Sequence, residues 1–378
     1  SNLNNLKVFM NPLAVNLNEV VITEDNTQDI RAMRSVEGTG IYRGMKSEVI
    51  RPGEMSINLA TNNSRQAYGK VAGLNIWESD GAGIQLGIGA RGLSPNRTSH
   101  FNVRQDLYDI SADALGYPES YYTPPLQGVD RIEMVRGAAA LQYGTQFGGL
   151  LNFKMKGAPL EDGHEVIIDQ TVSSFGLNDS ITSPIAHTNT FLSVGFRKKR
   201  TSFYAFYQYR QGEGCRERSD HNVNTFYARF TQELSKKWDL DIAFTHMDYL
   251  TQQPGGLTDN QFEENPRQTN RYRNWFNVDW NILSATITYE PSPTIKISSK
   301  TWGLLARRDA LGFLGQTQRE DPMGPRDLIS GQFTNITNET RVLHRMVFND
   351  DLLITSAGVR LYRGISNTQQ GIANSAYD

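Results

Sequence analysis

The sequence predicts a membrane all-β barrel, of which about nine strands are present, entered through a compact α+β domain of about 110 residues. Three observations carry this expectation. From His164 onward, apolar and polar residues alternate with period 2. The connections between those runs alternate short and long. The stretch before them is instead dense in glycine and turn residues.

The alternating runs come first in the argument. In WDLDIAFT, Trp238, Leu240, Ile242 and Phe244 share one face, opposite Asp239, Asp241, Ala243 and Thr245. Phe226, Ala228 and Phe230 oppose Tyr227, Arg229 and Thr231, and Val166, Ile168 and Val172 oppose Asp169, Thr171 and Ser173. Strands that cross lipid need about 9–11 residues, and these runs reach that length. They read as roughly 164–174, 187–197, 201–211, 222–234, 238–250, 274–290, 294–306, 335–347 and 352–364.

Short turns are expected near 198–200, 235–237, 291–293 and 349–351, and long loops at 174–186, 211–221, 251–272 and 306–331. Such sorting belongs to outer-membrane barrels, with short periplasmic turns and long extracellular loops. About nine strands leave two sheet edges that lipid does not tolerate, and large plugged transporters have about 22 strands. The chain therefore reads as incomplete, with 364–378 as an unfinished loop. Its start, SNLNN, has no Met and no leader, which reads as a processed form.

Composition excludes several classes. Lys+Arg 38 against Asp+Glu 40 leaves a net charge of -2 and no basic excess for nucleic acid. Cys215 is the only cysteine, so internal disulfides and Cys-based zinc sites are out and the thiol reads as inert. No run reaches the ~18 apolar residues of a membrane helix. The mean hydropathy of -0.49 fits a barrel, whose alternation averages to polar. The six histidines are scattered without an HExxH pattern, and no nucleophile elbow is present, so no enzyme chemistry is read. GIGARG at 87–92 matches GxGxxG, but LSPNRT follows, and Pro95 with turn formers opens no helix for a pyrophosphate. Its glycines read as tight turns and close backbone packing.

In the N-terminal part, a helix is expected around 64–71 and short strands elsewhere between 50 and 158. The most informative stretch is RIEMVRGAAALQYGTQFGGLLNFKMK at 131–156. Together with KVAGLNIWESDGAGIQLGIGARGLSPNRTSHFNVRQDLYDI and GYPESYYTPPL, it resembles the plug of TonB-dependent outer-membrane receptors. QQPGGLTDNQF and RNWFN further resemble the ferric-citrate and siderophore branch, in its Bacteroidetes type. The resemblance spans nearly the whole chain. It implies residues 1–17 as the tail of a small β-domain or linker, 18–23 as a Ton box, 24–158 as the plug and 159–378 as the first part of a 22-stranded barrel.

The resemblance also implies roles. Arg131, Glu133 and Arg136 would latch the plug to the barrel wall, since breaking a buried ion pair costs about 3–5 kcal/mol. In NEVVIT, Glu19, Val20, Val21, Ile22 and Thr23 would add as a strand to TonB, the partner acting with ExbB and ExbD. A ferric chelate would be the cargo and no resident cofactor is implied. Ligand contacts would fall on Arg97, Asn102, Arg104, Gln105, Tyr117, Glu119, Tyr121 and Tyr122 of the plug and on Arg267, Arg271 and Arg273 of the loops. Arg216 and Arg218 could add charge. Guanidinium forks pair well with the carboxylates of an anionic chelate. Glu119 departs from the neutral amide of the enteric citrate receptor, which puts citrate itself in doubt. The alternatives are uptake of an oligosaccharide, stacked on Tyr121 and Tyr122, and a receptor that signals to a periplasmic regulator.

Overall fold

The computed structural model describes residues 30–42, 47–59, 64–78, 83, 86–113, 119–144, 146–174, 187–348 and 351–373. The first body is built on a six-stranded sheet. Its strands are β1 (Ile30–Arg31), β4 (Ser47–Ile50), β7 (Phe101–Gln105), β8 (Tyr108–Asp109), β9 (Val129–Val135) and β10 (Gly149–Met155), in the order β1-β4-β9-β10-β7-β8. β7 and β10 run parallel, and the other neighbours run antiparallel. Two small ribbons, β2 (Val36–Glu37) with β3 (Gly40–Ile41) and β5 (Leu74–Glu78) with β6 (Leu86–Ala90), flank it. The expected helix is one short turn, α1 (Ser64–Tyr68). It stops where Gly69, a poor helix former, follows Tyr68, and the chain then turns through Gly73 at φ +79° into β5.

The alternation of β9 explains its place. Ile132 and Met134 point into the core with Leu151 and Phe153 of β10, all buried. GIGARG is half strand, since β6 carries Gly87 and Gly89. A Cβ at either would stand within 2.4 Å of the carbonyl oxygen of Pro95 or Leu93. Close backbone packing is thus the reason for these glycines, as the sequence reading had it.

The second body is a nine-stranded antiparallel sheet in sequence order. Its strands are β11 (Gly163–Ser173), β12 (His187–Lys198), β13 (Thr201–Gly212), β14 (His221–Glu233), β15 (Trp238–Gln252), β16 (Trp275–Ser292), β17 (Ile295–Gly312), β18 (Arg326–Phe348) and β19 (Asp351–Ala373). All nine overlap the runs the alternation marked, and β17, β18 and β19 extend past them into stretches read as loop. Connections 199–200, 234–237 and 293–294 close one end. Segments 213–220, 253–274 (with the helix α2, Asp259–Glu264) and 313–325 stand at the other.

The last strands outrun their expectation. β19 continues to Ala373, through residues first read as loop, and its polar run stays paired with β18, as in Ser366 with Phe333 and Gln370 with Ile329. At about 3.3 Å per residue, its 23 residues span about 76 Å, against about 30 Å of hydrocarbon. A strand beyond lipid needs no apolar face, so its pattern fades while the ladder persists.

The two faces of this wall differ. Phe191, Phe206, Tyr227, Met247, Trp280 and Trp302 are buried and join the first body in one core. The opposite face exposes Val166, Ile168, Phe196, Phe226, Ile242, Leu283 and Leu305. An exposed apolar belt of this size calls for lipid rather than water. Trp238 stacks on Tyr289, ring centroids 4.2 Å apart, beside the short turns, where membrane interfaces collect aromatics. The first body is therefore a plug held on the inner face of a barrel wall.

Candidate functional site

The plug reaches the long-loop end through a turn at Asn96–Thr98. Thr98 Oγ donates to the Leu86 carbonyl at 3.0 Å and accepts from Ile88 N–H at 3.1 Å, pinning the turn to β6. This holds Arg97 in the left-handed region, φ 48° and ψ 28°. Ser120 N–H donates to the Arg97 carbonyl at 3.1 Å, which lays the next segment alongside. Arg97 Nη1 then meets Glu119 Oε2 at 2.6 Å and Tyr121 Oη at 2.9 Å, while that hydroxyl donates to Glu119 at 2.6 Å.

Tyr121 also faces the wall. Its buried ring packs on Phe276 and Trp280, near the long-loop end of β16, at 5.8 and 6.0 Å. Two guanidiniums flank the ring, Arg97 at 5.2 Å and Arg308 of β17 at 5.3 Å. Strand register carries the row further round the wall. Arg308 pairs with Val278, Val278 with Tyr249, Tyr249 with Val223, and Val223 with Arg210. Arg210 and Arg308 are both buried on the inner face. Arg97, Arg210, Arg308 and Glu119 thus stand at the level of the plug apex, and guanidinium forks there are of the kind that pairs with carboxylates or other anions. Sequence reasoning sought cations on loops and missed Arg210 and Arg308. The available signal was phase, because both occupy inward positions of alternating strands.

Several expected ligand residues do other work. Arg104 is fully buried, and its donors are spent. Nε bonds Asn102 at 2.8 Å, Nη1 bonds the Leu107 carbonyl at 2.8 Å and Glu339 at 3.1 Å, and Nη2 bonds the Tyr143 carbonyl at 2.7 Å. Burial alone would weaken this cation, but Asp109 and Glu339 hold its pKa above the ordinary guanidinium value. Asn102 bonds the Tyr143 carbonyl at 2.8 Å. Gln105 donates to Thr245 of the wall at 3.0 Å and accepts from Tyr122 at 2.9 Å. Asn102 and Tyr122 are thus bonded within the plug, while Arg104 and Gln105 also reach the wall. Tyr117 lies outside the described residues, as do Glu19, Val20, Val21, Ile22 and Thr23.

The latch also moves. Arg131 bonds Glu133 at 2.8 Å and pairs with Glu37 and Asp130, while Arg136 pairs with Glu48. Glu133 accepts from Asn152 at 2.7 Å. Every one of these partners belongs to the plug, so among the described residues the three bind its own strands together. Burial raises the Glu133 pKa, against the opposing pull of Arg131.

The wall is gripped elsewhere, by the β7–β8 turn. Asp106, buried at its tip, pairs with Lys154 at 2.9 Å and lies 3.8 Å from Arg229 of β14. Lys300 of β17 donates to its carbonyl. Burial opposes this carboxylate, yet Lys154, Arg229 and Lys300 hold its pKa down to about 2. Arg104 crosses to Glu339 of β18, and Arg360 of β19 crosses to Asp109.

The loop arginines brace a roof. Arg271 donates to four carbonyls, of Asn270, Gly315, Gln316 and Arg319, at 2.6–3.1 Å. Arg273 grips Asp321 through two bonds of 3.0 and 2.9 Å, and Arg216 bonds the Gln268 carbonyl at 2.7 Å. These guanidiniums bond loop backbone and carboxylate, so Arg271, Arg273 and Arg216 order the loops. Arg267 is half-buried and Arg218 exposed on the same loops.

Residues 46–150 match the family described as the TonB-dependent receptor plug domain. The whole fold is similar to the ferric citrate transporter FecA in its unliganded form, with TM-score 0.74 and 18% identity over 88% of this chain and 49% of that one. It is similar to BauA, the ferric preacinetobactin receptor from Acinetobacter baumannii, with TM-score 0.66 and 11% identity over 86% and 48%. The copper transporter OprC follows, with TM-score 0.63 and 12% identity over 89% and 48%. The chain spans about half the length of these proteins.

Proposed function

We propose, from the premise that the chain is a TonB-dependent receptor by its plug and by the fold of its wall, that the whole protein imports a ferric chelate across a bacterial outer membrane. The observation that carries this reading is Tyr121, held between Arg97 of the plug and Arg308 of the wall beneath the long loops. An anionic chelate entering there meets guanidinium on both sides of the plug–wall seam, so binding couples the two bodies. Glu119 already engages Arg97. The reading therefore favours a chelate of modest negative charge, or one that displaces Glu119, over the highly charged ferric citrate.

Release then requires the plug to leave its wall contacts. In this reading TonB, driven by ExbB and ExbD, takes residues 19–23 as an added strand and pulls. The plug occupies 24–158, residues 1–17 precede the TonB segment, and the wall begins at 159. Buried ion pairs hold the plug until that work is done, since each broken pair costs about 3–5 kcal/mol.

The test is growth of a deletion strain carrying the full-length gene, on iron supplied as a panel of defined chelates. One ferric chelate should rescue growth, and Arg97→Ala with Arg308→Ala should abolish the rescue while the receptor still reaches the membrane. Equal growth on every chelate with and without the gene would remove iron as the cargo.

A further inference from the structure

On the inner face, one step above the arginine row, β12, β13 and β14 bring His187, Gly212 and His221 into register. With no side chain at Gly212 between them, the two imidazoles meet with ring centroids 5.4 Å apart. His221 is only 4% exposed, and neither ring nitrogen has a well-formed hydrogen bond, the Ser219 backbone being its one hydrogen-bonding neighbour among the described residues. A buried imidazole left so is costly unless something binds it. His187 Nδ1 lies 3.4 Å from the Gln211 carbonyl. A proton on Nδ1 leaves the Nε2 lone pair free, the usual arrangement of a metal-bound histidine, whose other nitrogen donates to a carbonyl. His187 and His221 are among the residues bordering a cavity of about 520 Å³, as are the exposed Glu213 and Asp220 of the adjoining loop.

We infer that His187 and His221 form a binding site for a late first-row divalent cation such as zinc, completed by water or by Glu213 and Asp220 of the 213–220 loop. The spacing fits. With metal–nitrogen bonds of about 2.0–2.1 Å and tetrahedral angles, two imidazole centroids stand about 5.2 Å apart. The donor set fits as well, because imidazole with carboxylate suits zinc, copper and nickel. Arg210, two residues further down its strand, acts on both imidazoles and opposes a cation there, so the carboxylates of the 213–220 loop have to offset it. Among the described residues no three metal-binding side chains are already gathered, so the loop carboxylates would close on the ion after it binds. The site is separate from the apex proposed for the chelate and does not depend on that reading.

The experiment uses the full-length receptor in detergent, with Cys215→Ser so that the exposed thiol takes no metal. Zinc binding is followed by calorimetry, and cobalt serves as a visible-absorption probe of geometry. One zinc per chain is expected, with the intense visible bands of tetrahedral cobalt. His221→Gln, and separately His187→Ala at a half-exposed position, should each weaken zinc at least about tenfold and erase those bands. Heat-modifiable migration on gels checks that both variants keep the folded barrel. Zinc affinity unchanged in both folded variants, or no zinc binding by the parent receptor, would overturn the site. Because neither readout involves growth on iron, failure here leaves the transport reading intact.

Discussion

Asp106→Asn is the sharpest perturbation of the plug's hold on the wall, because it removes a charge and almost no volume. Asp106 is buried among Lys154, Arg229 and Lys300, which hold its pKa down to about 2, well below the ordinary carboxylate range. At about 1.4 kcal/mol per pKa unit, that favours the ionised form by roughly 2 kcal/mol. Removing the charge also leaves three cations facing one another, so the full cost should lie between about 2 and 5 kcal/mol. Trp280 and Trp302 are buried between wall and plug, and their fluorescence should shift to the red when the plug leaves. With a urea slope of about 2 kcal/mol/M, the plug transition should fall by about 1–2.5 M. The pH dependence has a defined sign. A carboxylate with a depressed folded pKa stabilises fully above its unfolded value near 3.9 and loses that contribution as pH falls through about 2. Acid should therefore loosen the wild-type plug between about pH 4 and 2, and Asp106→Asn should lack this component. A midpoint within about 0.3 M of wild type, given that slope, would refute the assignment of the latch to the β7–β8 turn.

Three further outcomes follow from single contacts. Gly149→Ala places a Cβ 2.2 Å from the Val135 carbonyl at φ +105°, so it should cost at least about 3 kcal/mol and sharply lower the amount of folded receptor seen on gels. Arg271→Lys cannot span four carbonyls, and deuterium exchange across 313–325 should speed up while the wall strands stay protected. Glu119→Gln removes a carboxylate from the apex. At about 6 Å from a bound anion this should tighten binding by about 1–3 kcal/mol, measured by titration with the growth-supporting chelate.

The nine wall strands were legible because lipid on one side and a packed plug on the other impose strict alternation, seen in Phe226 to Phe230 and Trp238 to Phe244. Legibility stopped where lipid stops. The outer part of β19 is held by ladder bonds to β18 and carries no apolar stripe, so it read as loop. The latch was misplaced for a different reason. The charges of β9 alternate visibly, but a strand's own pattern does not reveal whether its neighbour is another plug strand or the wall. Asp106 carried no pattern at all, sitting at a turn tip where solvated acids are ordinary. Arg97, Glu119 and Tyr121 were singled out from turn and loop segments of the plug, and the structure brings the three into one cluster. Arg210 and Arg308 were hidden inside strands, where only their inward phase sets them apart.

The most direct test of the account is equilibrium binding of the growth-supporting ferric chelate to the purified full-length receptor and to Arg97→Ala, Arg308→Ala and the double variant. If both guanidiniums grip one ligand, each single change weakens binding by about tenfold or more, and the double-mutant cycle shows coupling of about 0.5–3 kcal/mol. Binding unchanged by Arg308→Ala, in a receptor whose plug transition is also unchanged, would contradict a site shared between plug apex and barrel wall.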